Sequence, residues 1–163
     1  GDASSGAAVG AVYVLRMNGV ATGDASPYGC ASPVESLVLV DGVPAPGAQL
    51  TLGLTNPVGT QSAGAASIFV VATQALPGCG VPIAGAGMTP GVPGELLVDL
   101  ASTVLFTAGP VWAGPGTYAE ITLPVPAGAS VAGLSFFAQG ALVDAPPRSG
   151  VGLSTGLEIR IAP

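Results

Sequence analysis

Residues 48–56 read AQLTLGLTN, with Leu50, Leu52 and Leu54 at every second position and Thr51, Gly53 and Thr55 between them. Successive side chains of a strand point to opposite faces, so this spacing puts three leucines on one side and small or polar groups on the other. It predicts a strand with one face in a core. The same pattern, bounded each time by turn residues, recurs in ESLVLV (35–40), ASIFVVAT (66–73), ELLVDL (95–100), TYAEITLPV (117–125), AGLSFFAQG (132–140) and GLEIRIA (156–162). No stretch repeats its apolar residues with a helical period. Segments this far apart imply connections that cross between two sheets. The expected fold is all-β, an antiparallel β-sandwich with Greek-key or jelly-roll-like connections and an additional N-terminal strand. The alternation assigns Leu50, Leu52, Leu54, Phe69, Val71, Ile121, Leu123, Leu134, Phe136, Leu157 and Ile159 to the core.

The additional strand comes from VGAVYVLRMN. Val9, Ala11, Tyr13, Leu15 and Met17 share one face, and Val12 and Val14 make the other face partly apolar. Such a strand needs cover on both sides, because an exposed apolar strand aggregates. It is either the first strand of its own sandwich or a donor that completes a groove in a neighbouring copy. The expected organisation is a strand over residues 1–20, a spacer over 21–29 and a sandwich domain over 30–163.

With 26 Gly and 16 Pro in 163 residues the chain approaches low-complexity composition. The two residue types cluster between the alternating segments, however, and glycine has no three-residue period, which excludes disorder and a collagen-like helix. Residues 77–94, PGCGVPIAGAGMTPGVPG, are too rich in Gly and Pro for a strand and too apolar for a solvated linker. They are expected to form a packed loop. The GAGMTPG within them is not a dinucleotide-binding loop, because Pro90 and Pro93 prevent the helix that must follow.

Charge is scarce: nine acids against three arginines, a net charge of −6, with 49% of residues apolar and a mean hydropathy of +0.69. No basic patch can neutralise phosphates and no polybasic run seeks anionic lipid, so neither nucleic acid nor a membrane surface is an expected partner. Gly, Pro or polar residues interrupt every apolar run before it reaches the length of a spanning helix. A membrane barrel wants aromatic girdles, and the chain has one Trp, three Tyr and four Phe. A surface this neutral suits contact with copies of itself.

The absence of His removes Ser-His-Asp and Cys-His nucleophilic machinery and imidazole metal sites. The absence of Lys removes Schiff-base chemistry and the phosphate-clamping lysine. What remains is carboxylate chemistry, but a glycosidase pair would sit in a groove rich in aromatics and amides, and this chain has four Gln and two Asn. No catalytic residues, cofactor or metal are therefore expected. Asp24 and Asp144 are the loop-borne acids nearest to calcium ligands, yet neither lies in a D-x-D-x-D-type run, and both read as solvated or turn-forming groups. Trp112, in a Gly/Pro loop beside Tyr118, reads as a plug for one end of the core or a subunit contact, with stacking on a sugar as the alternative.

Cys30 in SPYGCASP and Cys79 in ALPGCGVP both lie in turn-rich stretches, where a thiol has little reason to be unless paired. A disulfide between them is expected, the alternative being two free thiols in a reducing cell. A first residue of Gly1 rather than Met is read as the mark of a processed chain, and the expected location is secreted, at the cell surface.

The succession SPYGC, VPAPGAQLTLGLTN, PGCG, ELLVD, ITLPVPAGASVAGLSFFAQGALVD and LSTGLEIRIAP, over residues 27–163, resembles the Gly/Ala/Pro-rich β-modules of large secreted proteins from planctomycete-type bacteria. The resemblance implies export, a β-sandwich and a cysteine pair, and it brings no catalytic residues. Here the module carries an extra strand in front. The functional expectation is a structural subunit of an extracellular filament or appendage, a homopolymer joined through that strand. The alternative is a monomeric adhesion or carbohydrate-binding module that meets surface glycans.

Overall fold

The computed structural model describes residues 22–145 and 150–163. Ten strands follow one another: β1 (Asp24–Tyr28), β2 (Leu37–Asp41), β3 (Gln49–Leu54), β4 (Ala66–Ala72), β5 (Val81–Ile83), β6 (Gly94–Leu96), β7 (Thr103–Ala108), β8 (Ala119–Pro124), β9 (Ser135–Val143) and β10 (Val151–Arg160). They build a five-stranded sheet in the order β1-β10-β9-β4-β7, a three-stranded sheet β2-β3-β8, and a small β5-β6 ribbon. Every strand pairing is antiparallel. The chain crosses from one larger sheet to the other between β1 and β2, β3 and β4, β7 and β8, and β8 and β9, which are the crossovers that the spacing implied.

The two larger sheets close on one apolar cluster. Leu50, Leu52 and Leu54 of β3 lie buried against Phe69 and Val71 of β4, Ala138 and Leu142 of β9 and Leu157 and Ile159 of β10. Trp112 seals the cluster from the β7–β8 connection. It is fully buried, and its indole N–H donates to the Thr117 carbonyl at 3.0 Å, which satisfies the ring's polar edge. Ile121, Leu123 and Phe136 pack on the cluster while half-buried.

Four segments differ from the expected ones. Leu134 is 48% exposed, not inward. A 3-10 turn at Ala129–Val131 and Gly133, at φ 75°, redirect the chain just before β9 begins, so the alternation of the strand does not reach back to residue 134. Residues 24–28, assigned to the spacer, form β1. DASPY reads as a loop because of Pro27, but an edge strand pairs on one side only and tolerates the missing N–H. The segment 77–94 is not all loop, since Val81–Ile83 pairs with Gly94–Leu96. The strand expected over 95–100 ends at Leu96; Asp99 then caps a 3-10 turn and β7 follows. The additional N-terminal strand lies outside the described residues.

Candidate functional site

The two larger sheets leave an opening between β1 and β2. Among the described residues β1 and β2 are both edge strands, and β2 meets β10 more extensively than it meets β1. Two bonds hold β2 against β10: Ser36 Oγ accepts the Thr155 N–H at 2.8 Å, and the Ala162 N–H donates to the Pro44 carbonyl at 2.9 Å. The inner side of β1 is consequently left beside a groove of about 420 Å³. Ala25 and Pro27 of β1 form one wall, Leu37 and Leu39 of β2 the other, and Leu157 lies between them. Leu37 and Leu157 are buried core residues, so the groove opens directly onto the core between the two sheets. At its lips Val34 and Val43 are 65% and 59% exposed.

Local sequence sets each wall. At one end Gly23 passes so close to the Pro44 and Arg160 carbonyl oxygens that a Cβ would have no room. The other end is fixed by the Thr155 hydroxyl, which donates to the Tyr28 carbonyl at 2.7 Å. β1 therefore runs from the Pro44 end of the groove to the Ser36 end, opposite in direction to β2. Asp24, at the Pro44 end, is in register with Arg160. At the other end Glu35 is exposed, with no ion pair among the described residues.

The turn after β1 is held twice. Cys30 and Cys79 are disulfide-bonded, with their Cα atoms 5.4 Å apart. Beside them the buried Glu95 carboxylate accepts the N–H groups of Cys30 and Ala31 at 2.8 and 3.0 Å. The two sulfurs and this carboxylate lie within 4.8 Å of one another, the spacing of a metal site. The sulfurs are spent on each other, and the carboxylate on two backbone donors, so the cluster acts as a structural tie. Behind it Gln139, buried on the outer face of β9, accepts the Leu97 N–H at 2.9 Å and donates to the carbonyls of Glu95 and Ser154 at 2.5 and 2.9 Å. This amide fastens the β5-β6 excursion to the five-stranded sheet. Sequence alternation had no means of marking Glu95 or Gln139, since both look like ordinary outward polar residues.

Tyr28 closes the same corner. Its ring meets Phe137 edge-on at 5.9 Å and its hydroxyl donates to the Leu97 carbonyl at 3.3 Å. Burial, with the nearby Glu158 charge adding to it, holds the phenol well above the ordinary tyrosine range.

The remaining sequence candidates are placed apart. Trp112 is inside the core and presents no face to a sugar, which leaves the plug reading. Asp144 is buried and accepts the Ser62 N–H at 2.7 Å. Asp24 sits on an edge strand, so the two acids considered as loop ligands are not neighbours on a common loop. Val9, Ala11, Val12, Tyr13, Val14, Leu15 and Met17, the residues assigned to the donor strand, lie outside the described residues. A second apolar surface, absent from the sequence reading, lies on the outer face of β7. There Phe106 and Val104 are exposed beside Val70 of β4. Among the described residues no helix is long and apolar enough to cross a membrane. No protein-family model, no curated protein and no solved structure matches this chain.

Proposed function

We propose that the protein is a structural subunit of an extracellular filament or appendage, which polymerises when the N-terminal strand of one copy is added to the sandwich of the next. The observation that carries this reading is the groove between β1 and β2, an apolar opening of about 420 Å³ onto the core, bordered by two strand edges that pair with nothing among the described residues. An open edge beside exposed apolar side chains is a template for another strand. The same chain supplies, in Val9–Met17, a segment whose alternation calls for cover on both faces. Burying four or five of its side chains would contribute roughly 6 to 15 kcal/mol before ordering costs, at about 1.5 to 3 kcal/mol each, enough for a durable joint.

Other features support assembly outside the cell. The disulfide suits an oxidising compartment, and the 49-residue separation of its cysteines ties the turn beside the groove to a distant loop. The scarcity of charge leaves little to keep copies apart. The adhesion reading has lost its best ligand platform with the burial of Trp112, and no observation favours it in its place.

The test is deletion of residues 1–20 from the protein, followed by electron microscopy and light scattering under conditions in which the intact chain assembles. Strand addition requires that fibres disappear and that a synthetic peptide of residues 1–20 occupy the truncated subunit. Normal fibres from the truncated chain would refute it.

A further inference from the structure

The two edges that border the groove are unequal partners for an incoming strand. β1 carries Pro27, which removes one backbone donor from a five-residue strand. From Val34 to Val43 the β2 side has no proline. A strand entering the groove therefore pairs with β2, becomes the fourth strand of the smaller sheet and comes to lie opposite β1, whose Ala25 is only half-covered by the described residues.

Direction decides whether such a strand can come from the same chain. β1 starts at Asp24, directly after Gly23, which lies beside Pro44, and residues 9–17 precede it by a short connection. Six Cα steps separate Met17 from Gly23, a reach of about 22 Å fully extended. The Ser36 end of β2 is eight residues from Pro44, about 26 Å along a strand. If the segment ran antiparallel to β2, Met17 would stand at the Ser36 end, out of reach of its own Gly23. An intramolecular strand would have to run parallel to β2.

We propose that the groove takes Val9–Met17 of a second copy, antiparallel to β2, so that completion of the sandwich is possible only between copies. This rests on the assembly reading above and adds the acceptor edge and the polarity of the joint. Two observations favour the antiparallel direction. Every strand pairing in the described sandwich is antiparallel, the slightly more stable arrangement. Charge agrees as well: the antiparallel direction brings Arg16, the one cation of the segment, to the end where Glu35 has no ion pair among the described residues, whereas at the opposite end it would meet Arg160, a like charge in register with Asp24. The groove also has the capacity. An apolar cavity of about 150 Å³ accepts a benzene-sized group, so one of about 420 Å³ holds two or three such side chains from the face that carries Tyr13, Leu15 and Met17.

The experiment uses the full chain with a photo-reactive side chain, Met17→benzoylphenylalanine, which leaves the disulfide untouched. After assembly and irradiation, mass mapping is expected to find links between chains, at residues 34–37. Links within one chain at residues 42–44 would overturn the proposal, as would links to β7. In parallel, Val34→Asp and Val43→Asp place charge on the groove lips; both sites are exposed, so the fold is retained, as circular dichroism would check. The expected result is at least a tenfold rise in the concentration needed for assembly, with Phe106→Asp on the far sheet face assembling like the parent. If deletion of residues 1–20 abolishes assembly while both lip variants assemble normally, strand addition stands and this groove is not its acceptor. If the deletion leaves assembly intact, the functional reading itself has failed.

Discussion

Replacing both cysteines with serine, Cys30→Ser together with Cys79→Ser, isolates what the cross-link does. Both residues are exposed, so the change removes little buried surface and the loss is chiefly that of the covalent link. In the chain-entropy model, closing a loop with a sequence separation of 49 restricts the unfolded chain by about 4 kcal/mol at 25 °C. For a chain of this size that loss lowers the melting temperature by about 8 to 16 °C. The native turn should stay in place, because Glu95 still accepts the N–H groups of residues 30 and 31. Urea unfolding followed by Trp112 emission measures the effect. The midpoint should fall while the m-value rises, since an uncrosslinked unfolded chain exposes more surface. A loss below about 1 kcal/mol with an unchanged m-value would refute the reasoning, and a shifted native Trp112 emission would show that the bond shapes the folded state instead.

Glu95→Leu should cost about 2 to 4 kcal/mol, because it strands two partly buried backbone donors, and a double-mutant cycle with the cysteine pair should be non-additive since both hold one turn. Gly140→Ala should cost about 1 to 3 kcal/mol: its Cβ would stand 2.6 Å from Cδ1 of the fully buried Leu54, and a change below about 0.5 kcal/mol in chemical denaturation would show the core to be looser than this contact implies. Tyr28 holds its proton more tightly when folded than unfolded, so its contribution is complete below the ordinary tyrosine value of about 10 and is lost as pH rises above it. Tyr28→Phe should flatten the alkaline limb of a stability–pH curve, and an unaltered limb would remove Tyr28 as its cause.

The strands that the sequence made legible are those with one face in the core. β3 and β4 place Leu50, Leu52, Leu54, Phe69 and Val71 inward at strict alternation, and burial enforces that register because a one-residue slip would reverse every side chain. β7 escaped because Val104, Leu105 and Phe106 are consecutive and apolar; only Leu105 packs on the core, and no period separates it from its exposed neighbours. β1 and β5 escaped because each contains a proline, which an edge or a three-residue ribbon accepts and a central strand does not. The groove had no sequence signature. It arises from the offset of one sheet over the other, and its lips, Val34 and Val43, stand in connecting segments. The tie at Glu95 depends on two donors 64 and 65 residues away, a separation that local pattern does not encode.

Edge strands are commonly blunted by lysine, proline or a bulge. With no lysine in the chain, only the last two devices remain. β1 has Pro27 at its fourth position, and β8 ends on Pro124. β2 carries a bulge between Leu39 and Asp41, which disrupts only the end of the strand nearer Pro44. The regular half of β2, Leu37 to Leu39, keeps its outward backbone groups in ladder geometry. That half borders the part of the groove floored by Leu37, where the proposed antiparallel joint would bring Leu15 and Met17 beside Glu35, which has no ion pair among the described residues. In that proposed joint the bulge would confine pairing to one stretch of the edge, and the anchoring side chains and the single donor cation would converge on that stretch. A donor in the parallel direction would instead bring Leu15 and Met17 to the bulged end, where the ladder is broken and Arg160 already stands across from Asp24. The irregularity that protects β2 from indiscriminate pairing would, in the proposed joint, also select its polarity.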